Sequence, residues 1–421
     1  VITVEEHLSR IVGTVRRLPP IGMELLDAQG CVLAQDVTSE VALPGFRNSA
    51  MDGYAVHASD LEGAGEQSPV RLPVACDIAA GNTQALNLAP GQSMRIMTGA
   101  PMPDGADAVV PVERTDGGLA LVVVSAAVSV GQHVRQAGED VAVGDLVMRD
   151  GTRLEPRQIA LLSAVGTGRV MVTPKPRVVV ISTGDELIEP GTRPGFGQVV
   201  DSNSPMLTAA VRALDAIPSR VGCVRDDART FLSTIESQLV HADVVITTGG
   251  VSMGAYDTVK EVLSRVGTMR FDKVAMQPGM PQGFGVLGED EVPVFTLPGN
   301  PVSAMVSFEV FVAPALRLMA GRPQYETSLV TAVATHDWAT PPGKVQYARV
   351  VLSRNGSGHP SGHPSGQPSG HTVAIAGLQG SHALGALAGA NALAVIPADV
   401  TSVRAGDQVL CHPLGPITEA S

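Results

Sequence analysis

Apolar positions along this chain follow two rhythms, and the change from one to the other divides it. Between Pro176 and Gly321, continuous β-branched runs alternate with helical patterns: Arg177-Val178-Val179-Val180-Ile181, then Asp243-Val244-Val245-Ile246, then Val292-Pro293-Val294-Phe295-Thr296. Strands buried on both faces read as unbroken apolar runs, so this segment predicts a parallel α/β sheet. From Pro44 to Met148 the pattern is all-β, with alternating runs such as Leu119 to Val130 set between Gly, Pro and Asp turns. Short strands return beyond Arg322 and suggest a small β-barrel. A capping box, Thr3-Val4-Glu5-Glu6, opens a helix that runs to about Arg16. Pro156 to Val165 and Met206 to about Leu214 predict further helices, and Thr173-Pro174-Lys175-Pro176 reads as a boundary.

Chemistry gathers where the strands stop. Ser182-Thr183-Gly184-Asp185-Glu186-Leu187 follows the first run and Gly249-Gly250-Val251-Ser252-Met253-Gly254 the second. Leu297-Pro298-Gly299-Asn300-Pro301-Val302-Ser303 follows the third, and Asp201-Ser202-Asn203-Ser204-Pro205 opens a helix between them. In open α/β sheets ligands collect at the carboxyl ends of strands, where the strand order reverses. Asn300 suits an N-cap, Pro301 the first helical position, and Gly299 a tight turn. Backbone N–H groups there would converge on an anion such as a phosphate.

Acidic residues fall at the same ends: Asp185 and Glu186, Asp226 and Asp227 after Val221-Gly222-Cys223-Val224, and Asp257 beyond the Gly-Gly loop. Mg²⁺ is held by one or two carboxylates together with substrate phosphates, so the set points to metal-assisted chemistry on a phosphate or oxyanion. Lys273 would add positive charge to the same ligand. Taken singly, each loop is also a well-made βα turn, and each acidic residue a solvated surface group. Their coincidence at strand ends is what favours a site.

Composition narrows the class. At 421 residues the chain is too long for one core. With a net charge of −12 and no basic block beyond Val15-Arg16-Arg17, nucleic-acid binding is not expected. Aromatics make up only 3%, so the cores must be built from Val, Leu, Ile, Ala and Met. Cys31, Cys76, Cys223 and Cys411 form no C-x-x-C pair, which suits a reduced cytoplasmic protein with structural thiols. Glu309 and Arg317 interrupt the apolar stretch after Pro301, so a core helix is expected there and no membrane span. No secretory leader is expected either. A Gly-His-Pro-Ser repeat at 356–371 lacks apolar residues and predicts a mobile loop.

Pro44-Gly45-Phe46-Arg47-Asn48-Ser49-Ala50-Met51-Asp52-Gly53-Tyr54-Ala55 resembles the opening signature of the molybdopterin molybdenumtransferases, the MoeA/gephyrin E-domain family. The resemblance continues through Arg95-Ile96-Met97-Thr98-Gly99-Ala100-Pro101, Gly138-Glu139-Asp140, the Thr183–Leu187 loop, Gly249-Gly250-Val251-Ser252 and Leu297–Pro301. It implies a multidomain α/β plus β protein with a central doubly wound parallel-type α/β domain, at 176–321, binding the pterin nucleotide. Around it would lie an elongated, discontinuous linker domain (1–43 and 147–175), an inserted β domain (44–146) and a C-terminal β-barrel domain (322–421).

The resemblance also implies a cytoplasmic, L-shaped homodimer. Its reaction would transfer molybdate to adenylylated molybdopterin with Mg²⁺ and release AMP, the substrate being supplied by a molybdopterin adenylyltransferase. Carried over, Glu186, Asp226 and Asp257 would hold the metal and act in catalysis with Asp52, Thr98 and Asp140, which would lean over the partner's site. Thr183, Gly184, Asp185, Gly249, Gly250, Ser252, Lys273, Pro298, Gly299, Asn300, Pro301, Arg349 and Ser381 would bind substrate. One departure matters: where the family commonly shows Lys-Pro-Gly-Lys-Pro, this chain has Gln277-Pro278-Gly279-Met280-Pro281. Either the neighbourhood compensates, for example through Arg349, or the ligand differs. An adenylyltransferase, a scaffold and a non-catalytic molybdopterin carrier stand as alternatives.

Overall fold

The β-branched runs form one six-stranded sheet: β1 (Arg177–Thr183), β2 (Ile217–Val224), β3 (Val244–Thr248), β4 (Arg270–Lys273), β5 (Pro281–Leu287) and β6 (Val292–Leu297), in the order β2-β1-β3-β6-β5-β4. We describe a computed structural model, covering residues 1–249, 258–265, 268–322, 327–354 and 370–419. The repeat is outside these up to residue 369, as are Gly250, Ser252 and Asp257. Contacts divide the chain into two compact units, one comprising Val1–Ile21, Gly30–Val32 and Thr173–Ser421, the other Gly22–Gln29 and Leu33–Val172.

In the first unit, β2, β1, β3 and β6 run parallel. The sheet is mixed, however, because β5 pairs antiparallel with β6 and β4 antiparallel with β5 at one edge. Both faces of the parallel part are covered, as its apolar runs require. Val178 and Val180 pack into one core with α1 (Val4–Thr14), α2 (Asn203–Ala213) and the helix that starts at Pro301. Val179 and Ile181 pack into the other, with Phe231 and Ile235 of α3 (Ala228–Leu239) and Leu263 of α4 (Thr258–Leu263). The capping box of α1 forms, with Glu6 N–H on Thr3 Oγ1 at 3.1 Å and Thr3 N–H on Glu6 Oε2 at 2.8 Å. Helix α2 begins three residues earlier than its apolar pattern predicts, because Asp201 Oδ1 accepts the N–H groups of Asn203 and Ser204, at 3.0 and 3.1 Å.

The 19-residue helix α5 (Pro301–Met319) is long and apolar enough to cross a membrane, yet 72% of its apolar stretch is buried within this unit. A π-helical turn, Phe308–Val312, interrupts it. At that turn Phe311 meets the ring of His7 edge-on at 4.7 Å, and Glu309 meets His412 Nε2 at 3.1 Å. Burial of His7 depresses its imidazole to about 4.

His412 belongs to the barrel that closes the chain: β7 (Val330–Ala334), β8 (Val345–Arg354), β9 (His371–Ile375), β10 (Ala392–Ile396) and β11 (Gln408–Pro413). Pairings β8–β9, β9–β7, β7–β11, β11–β10 and β10–β8 complete a ring. Small and branched residues, among them Ala348, Val350, Val373 and Ala394, fill its interior.

The second unit is built on a five-stranded sheet in the order Ala108–Pro111, Gly53–Val56, Ser93–Ile96, Val70–Ile78, Leu121–Val124. The run from Leu119 to Val130 yields only its Leu121–Val124 strand. Gly53 lies so close to its neighbour that a Cβ would stand 1.9 Å from the Val110 carbonyl oxygen. Tyr54 is wholly buried and its hydroxyl donates to Gly118 O at 2.9 Å. Much of the Met-Asp-Gly-Tyr-Ala string is therefore architectural, and only its polar end faces outward.

Candidate functional site

The chain leaves β1 for β2 on one side and returns to β3 on the other, so the order reverses between β1 and β3. Thr183 ends one strand and Thr248 the other, both buried. Thr183 Oγ1 lies 3.4 Å from Thr248 O, and Gly249 follows with φ +97°. A Cβ on Gly249 would stand 2.5 Å from the Thr183 carbonyl oxygen, so no other residue fits there without displacing β1.

A residue outside the sequence-derived site set ties these ends together. Asn203 Nδ2 donates to Thr248 Oγ1 at 2.9 Å and to Gly299 O at 2.7 Å. The Thr248 hydroxyl donates to Pro298 O at 3.2 Å. Beneath Asn203 is Asp201, which is 2% exposed. Its Oδ1 accepts Ser182 Oγ at 3.0 Å; its Oδ2 accepts the Ser204 hydroxyl and lies 3.6 Å from Arg220 Nη2. Arg220 in turn pairs with Glu189 and donates from Nε to Ser204 Oγ at 2.6 Å. Burial, with Asp201 and Glu189 alongside, pushes the Cys223 thiol up to about 11. A neutral, structural thiol follows. The sequence signal for this hub is the Asp-Ser-Asn-Ser-Pro string at a helix start, which is a cap signature as much as a site signature.

The carboxylates occupy adjoining loops. Asp226 N–H donates to Asp185 Oδ1 at 3.2 Å, joining the ends of β1 and β2. Glu186 folds back over Gly184, where a Cβ would stand 2.7 Å from its Oε2. Asp227 caps α3 through Thr230 N–H at 2.9 Å, and its contacts with Thr230 hold its carboxyl below the usual range. Asp227 is thereby accounted for as a cap. Among the described residues no three His, Cys, Asp or Glu side chains converge as a metal site. Asp257, the third expected metal ligand, is outside the described residues, as are Gly250 and Ser252.

The Pro298–Pro301 turn departs from expectation at Asn300. Its side chain makes no capping bond; Nδ2 donates instead to Ser381 Oγ at 2.9 Å. Val302 N–H, one of the groups expected to face an anion, donates to Ser381 O at 3.2 Å. The cap is thus replaced by a loop arriving from 81 residues away, which local pattern does not reveal. Arg349 supports that loop: it is 0% exposed, and Nη2 donates to Leu378 O at 2.8 Å and Gly380 O at 3.2 Å. Its Nε and Nη1 are buried without a hydrogen-bond partner, so only part of the guanidinium is committed to that loop.

Lys273 is exposed at the end of β4, two strands from β6, or about 10 Å by ordinary strand spacing. Gln277 is exposed and Met280 half-buried. Their loop is anchored by Gln282 Nε2, which donates to Gly279 O and to Ser307 Oγ, both at 2.6 Å.

In the second unit, Thr98 donates to Asp52 Oδ1 from its N–H at 2.7 Å and from its hydroxyl at 2.9 Å. The backbone bond, then the hydroxyl, hold the Asp52 carboxyl below its usual range. Asp140 is exposed, and its N–H donates to Leu43 O at 3.0 Å.

Comparison with known proteins sets this geometry in context. Three family models match in order: MoeA N-terminal region (domain I and II) over residues 2–166, a probable molybdopterin binding domain over 179–318, and MoeA C-terminal region (domain IV) over 331–414. The chain is 46% identical over 413 residues to Molybdopterin molybdenumtransferase 2 of Mycobacterium tuberculosis, covering 97% of this chain and 98% of that one. To Molybdopterin molybdenumtransferase of Haemophilus influenzae it is 34% identical, with 93% of each chain covered. The molybdopterin biosynthesis moeA protein of Pyrococcus horikoshii OT3 superposes with a TM-score of 0.76 at 30% identity, covering 98% of this chain and 100% of that one. With all three regions present in order, and near-complete coverage of bacterial and archaeal relatives, the chain belongs to the MoeA family.

Proposed function

We propose that this protein is a molybdenum insertase of molybdenum cofactor biosynthesis, transferring molybdate to adenylylated molybdopterin with release of AMP. The observation that carries the reading is the junction of four polar loops at the β1/β3 reversal, in a chain similar over its full length to molybdenumtransferases. Similarity that includes the N- and C-terminal regions favours a transferase over an adenylyltransferase, whose resemblance is confined to the α/β segment.

Thr183, Gly184, Gly249 and the Pro298–Pro301 turn would cradle the pterin nucleotide, with Gly250 and Ser252 continuing the second loop. Lys273 would add positive charge beside the positions where Gln277 and Met280 stand in place of lysines. Arg349 would act by supporting the loop that carries Ser381. The carboxylates of Asp185, Glu186 and Asp226, joined by Asp257, are hard oxygen donors suited to Mg²⁺ shared with substrate phosphates. When bound, Mg²⁺ would offset charge on the phosphoanhydride oxygens. In the reaction the phosphoanhydride bond to AMP would be cleaved as phosphorus takes up the oxygen of a water molecule, and two dithiolene thiols would displace two molybdate oxygens, which leave as hydroxide carrying the thiol protons.

The same reading includes the four-domain division, a cytoplasmic homodimer with Asp52, Thr98 and Asp140 serving the partner's site, and an adenylyltransferase as substrate donor. The test is AMP release from adenylylated molybdopterin with Mg²⁺, with and without molybdate, while molybdenum on the pterin is followed. Molybdate-dependent release with metal insertion is expected. Tight binding without turnover would leave a carrier, and Gln277→Lys with Met280→Lys would then be the first reversion to assay.

A further inference from the structure

We infer that Asn203 is a positioning residue for the reaction proposed above, setting the shape of the Pro298–Pro301 turn through its carboxamide; the inference rests on that reading of function. Nδ2 carries two hydrogens and both are committed, one to Thr248 Oγ1 at 2.9 Å and one to Gly299 O at 2.7 Å. With its acceptor capacity met by Asn203, the Thr248 hydroxyl gives its own hydrogen to Pro298 O at 3.2 Å. Two successive carbonyls of the turn are thereby fixed from β3 and α2.

Packing does not fix them instead. A Cβ on Gly299 would meet only the Cα of Gly249, at 3.6 Å, so bare backbone faces bare backbone there. The side chain hangs from a rigid point, because Asn203 N–H is itself held by the buried Asp201 carboxylate at 3.0 Å. Asn203 Oδ1 is buried without a hydrogen-bond partner. Native structures rarely leave a buried acceptor unmet, and they keep one where the group serves elsewhere. Here the service is the pair of donors. Aspartate at this position has no donor, serine is too short to span both acceptors, and glutamine is one methylene too long. Asn203 touches no reacting atom in this arrangement and acts through the turn.

Asn203→Leu tests this, since it keeps the volume, removes both donors and the orphaned acceptor, and adds no charge. AMP release from adenylylated molybdopterin is measured alongside hydrogen exchange of peptides covering Gly299–Ala304. The expected result is a fall in kcat/KM of about 10- to 100-fold, carried mainly by kcat, since a displaced binding element misaligns the reacting groups. Exchange in the turn accelerates about tenfold or more while the unfolding midpoint holds within ~2 °C, a split that a general structural role would not give. Thr248→Val should reproduce part of the loss and add little in the double variant. Unchanged exchange, or faster exchange with unchanged kcat/KM, overturns the inference. Should Asn203→Leu fail to fold, Thr248→Val alone decides, with unaltered turn exchange as the refuting result. A wild-type protein that releases no AMP refutes the functional reading instead, and the exchange measurement still judges the position of the turn.

Discussion

In the α/β unit the residues at the strand ends are held by other side chains, whereas in the unit that carries Asp52 they are held by backbone packed beneath them. Asn203 and Asp201 bond to groups from β1, β3, α2 and the Pro298 turn, and Asp201 is all but sealed from solvent. Asp52 has one neighbour of consequence, Thr98, and stands in water. What lies under it is a glycine with no room for a methyl group and a tyrosine locked in the core. A buried polar network fixes geometry at a cost in stability if its central charged acceptor is lost. An exposed pair on a rigid sheet gives a replaceable side chain on an irreplaceable backbone. The first construction suits a site whose loops must agree with one another; the second suits a single group to be presented.

That contrast is open to attack by mutation. Gly53→Ala should have the largest effect, about 4 kcal/mol or more, because the new methyl would overlap the Val110 carbonyl. Calorimetry should show loss of the second unit's transition; a near-native transition would mean that backbone closeness is not what holds Asp52. Asp201→Ala comes next, at about 3 kcal/mol, since it strips Ser182, Ser204 and two N–H groups of α2 of their acceptor. Urea titration measures it, and a loss below about 1 kcal/mol would show the network to be dispensable.

His7 gives a third, pH-dependent handle on the α/β unit. Burial holds its imidazole at about 4 against an ordinary 6.5, so between those values the unfolded chain binds a proton that the native state refuses. Stability conferred by the neutral ring is present above pH 6.5 and is lost as pH falls toward 4, by up to about 3 kcal/mol. His7→Phe should flatten the stability curve over that window; an equally steep curve would remove His7 as the cause. The smallest effect on stability belongs to Asp52→Asn. Its unfolding midpoint should not move, while AMP release falls at least about tenfold if Asp52 serves catalysis. A lowered midpoint would erase the contrast between the two units.

How far the sequence reaches can be judged from particular residues. Val178 to Ile181 announce a strand buried on both faces, and alternate members enter opposite cores. The capping box at Thr3 is a local device and forms as written. Local rules failed where a distant segment intervened. Asn300 has the right residue type for a cap, but Ser381 takes its side chain and satisfies Val302 N–H. Arg349 reads as a pocket cation; what the sequence did not reveal is that its Nη2 bonds the carbonyls of Leu378 and Gly380, about 30 residues away. The antiparallel addition of β4 and β5 left no trace, because short edge strands of either sense share one composition. Asn203 was legible only as part of a helix start. Its two hydrogen bonds, to Thr248 and Gly299, reach residues 45 and 96 positions away, beyond any local pattern.

The π-helical turn in α5 acts as a phase shifter in the longest helix among the described residues. Each residue of an α-helix advances the side chains by about 100°, so one extra residue in a turn rotates everything beyond it by that amount. Upstream of Phe308 the helix keeps the angular setting demanded by the Pro298–Pro301 turn; from Phe308 onward it keeps a different one, presenting Phe311 to His7 and Glu309 to His412. A single helix thus answers to two sets of neighbours that an unbroken α-helical repeat would not satisfy together. Deleting one residue between 308 and 312 would restore the regular winding and spoil one of the two alignments.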